Sequence, residues 1–169
     1  MKLYTFLIVI VFIIGCDAFK YNNKYTTIYD MHFRKYSKRN FSVGFDWCLF
    51  KAQAIAESAL NLKAESWCKA KGLMQLLPSS FEEVCQKYPD LRCDTYHPRR
   101  NIAAEIRYDR DMWIKWRDIT PFGDHLKFTF ASYNADFGTI QRTQKCCESK
   151  GLNKNHWQSI ERVAHEVGS

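Results

Sequence analysis

One glutamate at the end of an apolar helical pattern is the feature around which the rest of this sequence can be organised. Phe50, Ala54 and Glu57 follow one another at intervals of four and three residues, so they share one helix face. A carboxyl group on an inward face loses hydration, and this desolvation raises its pKa. Asn61 can end the helix, which places Glu57 in the last turn, where the helix dipole also disfavours ionisation. The pattern predicts a neutral carboxyl group suited to general acid catalysis, although an ordinary surface glutamate fits it too.

Three blocks of sequence, the first of which contains this glutamate, decide between these interpretations. They are Lys-Ala-Gln-Ala-Ile-Ala-Glu-Ser at residues 51–58, Gly-Leu-Met-Gln-Leu-Leu-Pro-Ser-Ser at residues 72–80, and Ala-Ser-Tyr-Asn-Ala at residues 131–135. In order and spacing the blocks resemble the soluble-type lytic transglycosylases, which share a fold with goose-type lysozyme. The resemblance spans most of residues 45–139 and implies a mostly α, lysozyme-like single catalytic domain.

The same resemblance implies a reaction and a set of residues that perform it. Glu57 would act alone, first as acid and then as base, whereas most glycosidases use two carboxylates. The reaction would cleave the MurNAc–GlcNAc β-1,4 bond of peptidoglycan and leave a 1,6-anhydro sugar, with no metal or other cofactor. Ser58 would orient Glu57. The implied substrate-binding residues are Ser58, Met74, Gln75, Tyr133 and Asn134. Met74 and Tyr133 could equally be core side chains.

Three departures from the family pattern leave other functions open. Ala56 stands where the family often has glutamine, Asp136 and Phe137 replace its Gly-Pro, and no tyrosine follows Tyr133, where the family carries a late one. Asp136 adds a carboxylate, although an aspartate before a glycine-containing turn also suits loop capping. A lysozyme-like hydrolase, with Asp136 or Asp94 positioning water, is therefore one alternative. A catalytically idle module that binds the cell wall or serves envelope assembly is the other.

The first residues predict export. Lys2 is followed by a nearly unbroken apolar run at residues 3–15, too short for a typical membrane span but suited to a signal sequence. Residues 1–16 are therefore expected to be an export signal, with a lipobox-like Ile-Ile-Gly-Cys that ends at Cys16. A lipidated Cys16 would attach the protein to a membrane, and ordinary signal cleavage or an uncleaved anchor is the alternative. The expected location is the bacterial envelope or periplasm, with residues 17–44 as a basic lead-in or tether and residues 45–169 as the catalytic domain.

Cysteine usage agrees with export. Seven cysteines are present, and six are left when Cys16 is set aside, a number suited to three disulfides in an oxidising compartment. Cys85 and Cys93 flank a Tyr-Pro-Asp turn and form the one local pair that can be predicted, while free buried thiols stay open as the alternative for the others. The absence of any Cys-x-x-Cys, and of histidine at ligand spacing, argues against zinc.

A formal net charge of +7 indicates an anionic partner. Cell-wall polymers and membrane head groups fit an exported protein. Nucleic acid does not, because no nucleic-acid motif is present and the aromatic residues are not interleaved with a basic stripe.

Polar caps and periodicity predict the helices. Expected caps that begin helices are Asp46, Ser79 with Glu82, Asn101 and Asp124. The first of these helices should run to about Asn61, and the third through Trp116. Gly138 should break the helical pattern, and two further helices are expected, one ending before Gly151 and one at residues 157–167.

Overall fold

The computed structural model describes residues 27–167, and this part of the chain is built from helices. Its seven α-helices are α1 (Asp30–Asn40), α2 (Cys48–Ser58), α3 (Pro78–Lys87), α4 (Pro98–Lys115), α5 (Phe122–Ala135), α6 (Phe137–Ser149) and α7 (Trp157–Val167). A short 3-10 helix follows α3 at Pro89–Leu91. The prediction of a mostly α fold is confirmed. The expected export signal and lipobox lie outside the described residues.

The chain divides into two compact units, with the boundary inside α4. The described part of the first unit is residues 27–110, and that of the second is residues 111–167. Glu57 belongs to the first unit, whereas Tyr133 and Asn134 belong to the second. Within residues 27–167, no helix is long and apolar enough to cross a membrane.

Helix α1 lies in the stretch that we expected to be a basic lead-in. Phe33 and Tyr36 are buried at three-residue spacing, so α1 packs an apolar face into the first unit despite its many basic residues. The buried ammonium group of Lys51, on α2, pairs with the carboxylate of Asp30 at the start of α1. The lead-in therefore contains a packed helix. The sequence analysis did not predict this helix, because its many charged residues outnumber Phe33 and Tyr36.

Two helices begin at a proline, and a third begins directly after one. Helices α3 and α4 start at Pro78 and Pro98, because the first turn needs no backbone N–H and the proline ring presets φ. The capping box predicted at Ser79 is wrong, since α3 begins one residue earlier and its N-cap makes no side-chain hydrogen bond. Asn101 lies inside α4, and Asp124 lies inside the first turn of α5, after Pro121.

The second unit packs α5, α6 and α7 around aromatic side chains. Phe128 and Trp157 meet edge to face, with ring centroids 5.6 Å apart, and both are buried. Asp124 accepts a 3.0 Å hydrogen bond from the backbone N–H of Trp157, so it caps α7 instead of α5. Helix α7 spans the residues predicted for it, and Gly138 lies inside α6.

The predicted local disulfide is formed. Cys85 and Cys93 are bonded, with their Cα atoms 5.8 Å apart, and they tie α3 to the segment after the 3-10 helix. The expectation of three disulfides among six cysteines is wrong, because Cys146 and Cys147 are thiols. The two are neighbours on α6, and Cys147 is fully buried, where it packs as a small apolar residue.

Candidate active site

Glu57 is the second-last residue of α2, in the last turn as predicted. The helix is shorter than expected, because Ala59 and Leu60 adopt left-handed backbone angles, with φ of 53° and 60°. The N–H of Ala59 donates to the carbonyl oxygen of Ile55, at 2.8 Å, and closes the helix in an αL cap. This cap sets the position of Glu57 at the carboxyl end of the helix.

The inner face of α2 is buried up to the glutamate. Phe50 and Ala54 are fully buried, which confirms the face predicted from their spacing. Glu57 itself is half-buried, and its Oε1 atom is shielded from solvent. One oxygen therefore faces the protein while the residue keeps access to its surface. A group that exchanges a proton with a bound ligand needs such a position.

Ser58 joins the first sequence block to the second. Its hydroxyl donates a 2.7 Å hydrogen bond to the carbonyl oxygen of Leu73, and the carbonyl oxygen of Ala54 lies farther away, at 3.3 Å. Ser58 thus holds the end of α2 against the Gly-Leu-Met-Gln loop. The backbone next to Glu57 is thereby fixed to the loop.

The Gly-Leu-Met-Gln loop can begin only with glycine. Gly72 has a φ of 79°, and a Cβ added there would lie 2.5 Å from the carbonyl oxygen of Thr95. It would also lie 2.8 Å from the amide nitrogen of Asn101. The Oδ1 atom of Asn101 accepts a hydrogen bond from the N–H of Met74, at 3.3 Å. Helix α4 therefore holds the loop through this side chain.

Met74 and Gln75 shape this loop. Met74 is fully buried, which differs from the groove-lining place implied by the family resemblance, because a buried side chain offers no surface to a sugar. Gln75 has a φ of 58°, and its amide nitrogen donates to the carbonyl oxygens of Ala64 and Gly72, at 3.1 and 2.9 Å. The Gln75 side chain therefore holds the loop closed.

Tyr133 and Asn134 lie near the end of α5 in the second unit. Both are half-buried, and the amide nitrogen of Asn134 donates to the carbonyl oxygen of Phe130 at 3.0 Å. The neighbouring Ser132 is buried and accepts a 2.8 Å hydrogen bond from the indole N–H of Trp116. The third sequence block is thus fixed to the core of its own unit by the serine.

Asp136 is the N-cap of α6. Its Oδ1 accepts from the backbone N–H of Thr139 at 2.9 Å, and its Oδ2 accepts from the Thr139 hydroxyl at 2.8 Å. The capping alternative is confirmed. Asp94 accepts from the N–H of Tyr96 at 3.1 Å and lies 3.5 Å from the guanidinium of Arg100, so it also orders local backbone.

A buried polar cluster escaped the sequence analysis. Gln53 on α2, and Glu105 and Asp109 on α4, are all fully buried. The pKa of Asp109 is raised well above its ordinary value, chiefly by burial. The nearby amide of Gln53 opposes this shift, and the charge of Glu57 adds to it. The signal was present: Glu105 and Asp109 fall on the same helical stripe as the buried Ile102.

Comparison with known protein families shows which family the chain belongs to. The profile of the family described as Transglycosylase SLT domain matches residues 33–157. The chain belongs to this family. All six site residues proposed from the sequence fall inside the matched region of the SLT domain, so the resemblance on which they were chosen is confirmed at the level of the family.

The SLT domain is also similar to curated proteins named membrane-bound lytic murein transglycosylase F. The protein from Desulfosudis oleivorans is 32% identical over 120 residues, which cover 71% of this chain and 25% of that relative. The protein from Shewanella sediminis is 29% identical over 129 residues, 76% of this chain and 26% of the relative. The chain spans about a quarter of the length of these relatives.

Proposed function

We propose that this SLT domain is a lytic transglycosylase that cleaves the glycan strands of peptidoglycan with Glu57 as its single acid and base. The observation that carries the proposal is the position of Glu57. It lies in the last turn of α2 with one oxygen facing the protein, next to the serine that joins α2 to the family's second block. Membership in the SLT family and the names of the relatives support the same reaction.

The proposed reaction needs one group that gives and then retakes a proton. Glu57 donates its proton to the glycosidic oxygen as the bond to C1 of MurNAc breaks, and an oxocarbenium-like centre forms. The resulting carboxylate then takes the proton of the C6 hydroxyl as that oxygen bonds to C1. The product is a 1,6-anhydro sugar, Glu57 is again protonated, and no water is consumed.

The substrate-binding assignments are proposals of the same kind. Tyr133 and Asn134 would hold the sugar and its acetamido group, and the amide oxygen of Asn134 is the natural acceptor for the acetamido N–H. For Gln75 and Met74 we propose an indirect part, because the first closes its loop and the second is buried beneath it. Ser58 would act by holding Glu57 in place.

The hydrolase alternative needs a second carboxylate to position water. Both oxygens of Asp136 are used in capping α6, and Asp94 is used in its own turn. Asp109 is fully buried and offers no site for a water that attacks a sugar. These contacts favour the reaction with one carboxylate.

We further propose that the protein works in the bacterial envelope. Its relatives are named membrane-bound murein transglycosylases, and a basic protein suits the anionic wall. Attachment through a lipidated Cys16 is part of this proposal, with signal cleavage as its alternative. Fatty-acid labelling of the wild type and of Cys16→Ser in a bacterial host distinguishes them, since equal labelling would exclude lipidation at Cys16.

Product mass tests the proposed reaction. Purified peptidoglycan is digested with the protein, and the released muropeptides are analysed by mass spectrometry. A transglycosylase yields 1,6-anhydro products, each lighter by one water than the corresponding product of a hydrolase. Hydrated products would instead establish the hydrolase, and the absence of any release by folded protein would establish the idle wall-binding module.

A further inference from the structure

A buried acid lies behind the proposed catalytic glutamate. Asp109 is on α4 and fully buried, and the charge of Glu57 on α2 contributes to its raised pKa. Gln53 lies one turn before Glu57 on the same helix and is close to Asp109. The three side chains therefore form a polar group that extends from the core to the last turn of α2.

Asp109 and Gln53, the fully buried members of this group, make few hydrogen bonds. Neither oxygen of Asp109 and neither amide atom of Gln53 has a hydrogen-bond partner of good geometry among the described residues. Burying an ionised carboxylate without such partners costs several kcal/mol, and a buried acid normally avoids this cost by keeping its proton. Burial therefore favours the neutral, protonated state of Asp109.

The charged groups around Asp109 agree with this state. The charge of Glu57, on α2, opposes ionisation of Asp109. Glu105 lies one turn earlier on the same helix as Asp109 and is also fully buried. The cations of the same two helices have other partners. Lys51 pairs with Asp30, and Arg99, Arg100 and Arg107 contact Tyr36, Asp94 and Asn40. Arg110 and Lys115 lie over the rings of Phe41 and Phe137. Among the described residues, no cation contributes to the shift in the pKa of Asp109.

We propose that Asp109, in its protonated form, is a positioning residue that stabilises the carboxylate which Glu57 becomes during the reaction. The proposal rests on the function proposed above. When Glu57 gives its proton to the glycosidic oxygen, negative charge appears at the end of α2. A neutral polar group behind that charge stabilises it in a low-dielectric site, whereas an ionised one would repel it. Asp109 keeps its own proton throughout, so the proton balance of the reaction is unchanged.

The first test measures the coupling without substrate. The side-chain carboxyl carbon of Asp109 is followed by NMR as a function of pH in the wild type and in Glu57→Gln, with the resonance assigned from Asp109→Asn. We expect the wild-type midpoint to lie well above the ordinary range of aspartate. It should fall by about one pH unit in Glu57→Gln, as expected for two interacting acids. An ordinary midpoint, or the same midpoint in both proteins, would overturn the proposal.

The second test separates support of Glu57 from a purely structural role. Asp109→Leu should lower kcat about tenfold with little change in KM, because an apolar side chain replaces the neutral polar group near the developing charge. Asp109→Asn, which stays neutral and polar, should restore kcat to within about threefold of the wild type. Wild-type kcat in a folded Asp109→Leu variant would overturn the proposal, and if that variant does not fold, the titration decides alone. Failure of the proposed function is seen separately, as activity retained by Glu57→Gln.

Discussion

The hydroxyl of Ser58 donates a hydrogen bond to the carbonyl oxygen of Leu73, at a distance of 2.7 Å. This one bond joins the residue after the proposed catalytic glutamate to the loop that begins at Gly72. Leu73 is fully buried, so no water can replace the serine as donor to its carbonyl oxygen. This hydrogen bond therefore holds the Glu-Ser pair and the Gly-Leu-Met-Gln loop together.

Ser58→Ala removes the hydroxyl donor and leaves the buried carbonyl oxygen of Leu73 without this hydrogen bond. We expect the free energy of unfolding to fall by about 1–3 kcal/mol. Activity on peptidoglycan should fall as well, because the end of α2 loses its attachment to the loop. Urea denaturation measures the first effect. Ser79→Ala, at an exposed serine of α3, is the matched control, and equal stability of the two variants would contradict the assignment.

Glu57→Gln preserves the shape of the side chain but cannot donate and retake a proton. General acid–base catalysis typically contributes ~10²–10⁴-fold, and wall-digesting activity should fall by at least the lower value. One residue serves both steps, so we expect a loss near the upper value. Muropeptide release per unit time is the measurement, with circular dichroism to verify folding.

Glu65→Gln is the control for this substitution. Glu65 is exposed in the loop after α2, where it pairs with Lys69, and its loss should leave activity nearly unchanged. A folded Glu57→Gln protein that keeps more than about a tenth of wild-type activity would show that Glu57 is not the acid.

Gly72→Ala places a Cβ 2.5 Å from the carbonyl oxygen of Thr95, at a φ of 79°. Strain of this kind costs about 1–3 kcal/mol, and relief of the close contact would also displace the loop that Ser58 holds. We expect lower stability and lower activity together. Gly44→Ala is the control, because an added Cβ meets no atom within 4 Å there. Thermal unfolding of the two variants should differ clearly, and matching transitions would refute the steric account.

The raised pKa of Asp109 predicts how stability depends on pH. Between the ordinary value of 3.8 and the higher pKa of the folded protein, the native state binds a proton that the unfolded chain has released. Wild-type stability should therefore fall as the pH rises through this window. Asp109→Asn has no such proton, so its stability relative to the wild type should increase with pH. Urea midpoints at several pH values test this, and a difference that does not vary with pH would contradict it.

The location of the candidate acid could be predicted from the sequence, but its surroundings could not. The spacing of Phe50, Ala54 and Glu57 identified the inner face of α2, and the cysteine pair around a short turn identified the disulfide. Both signals are local. Asp109 approaches Glu57 from a helix that begins some forty residues later in the chain, and no local pattern reports such a contact.

Helix starts were mispredicted for a physical reason. Polar side chains and prolines both suit the first turn, and the sequence offers both near each start. At α3 and α4 the proline begins the helix, which leaves Ser79 and Asn101 inside it. Asn101 then uses its side chain to support the loop at Met74. A polar residue that is predicted to cap a helix, but does not, can instead make a tertiary contact, as Asn101 does.

Helix α7 takes its cap from a residue that precedes it by more than thirty positions, since Asp124 accepts the N–H of Trp157. During synthesis Asp124 leaves the ribosome first, and Trp157, whose N–H it accepts, leaves later. Helix α7 can therefore dock onto a surface that already holds its cap. The reverse order, with α7 formed before α5, would leave that N–H without its acceptor. Translation from the N-terminus therefore presents the cap before the helix that uses it.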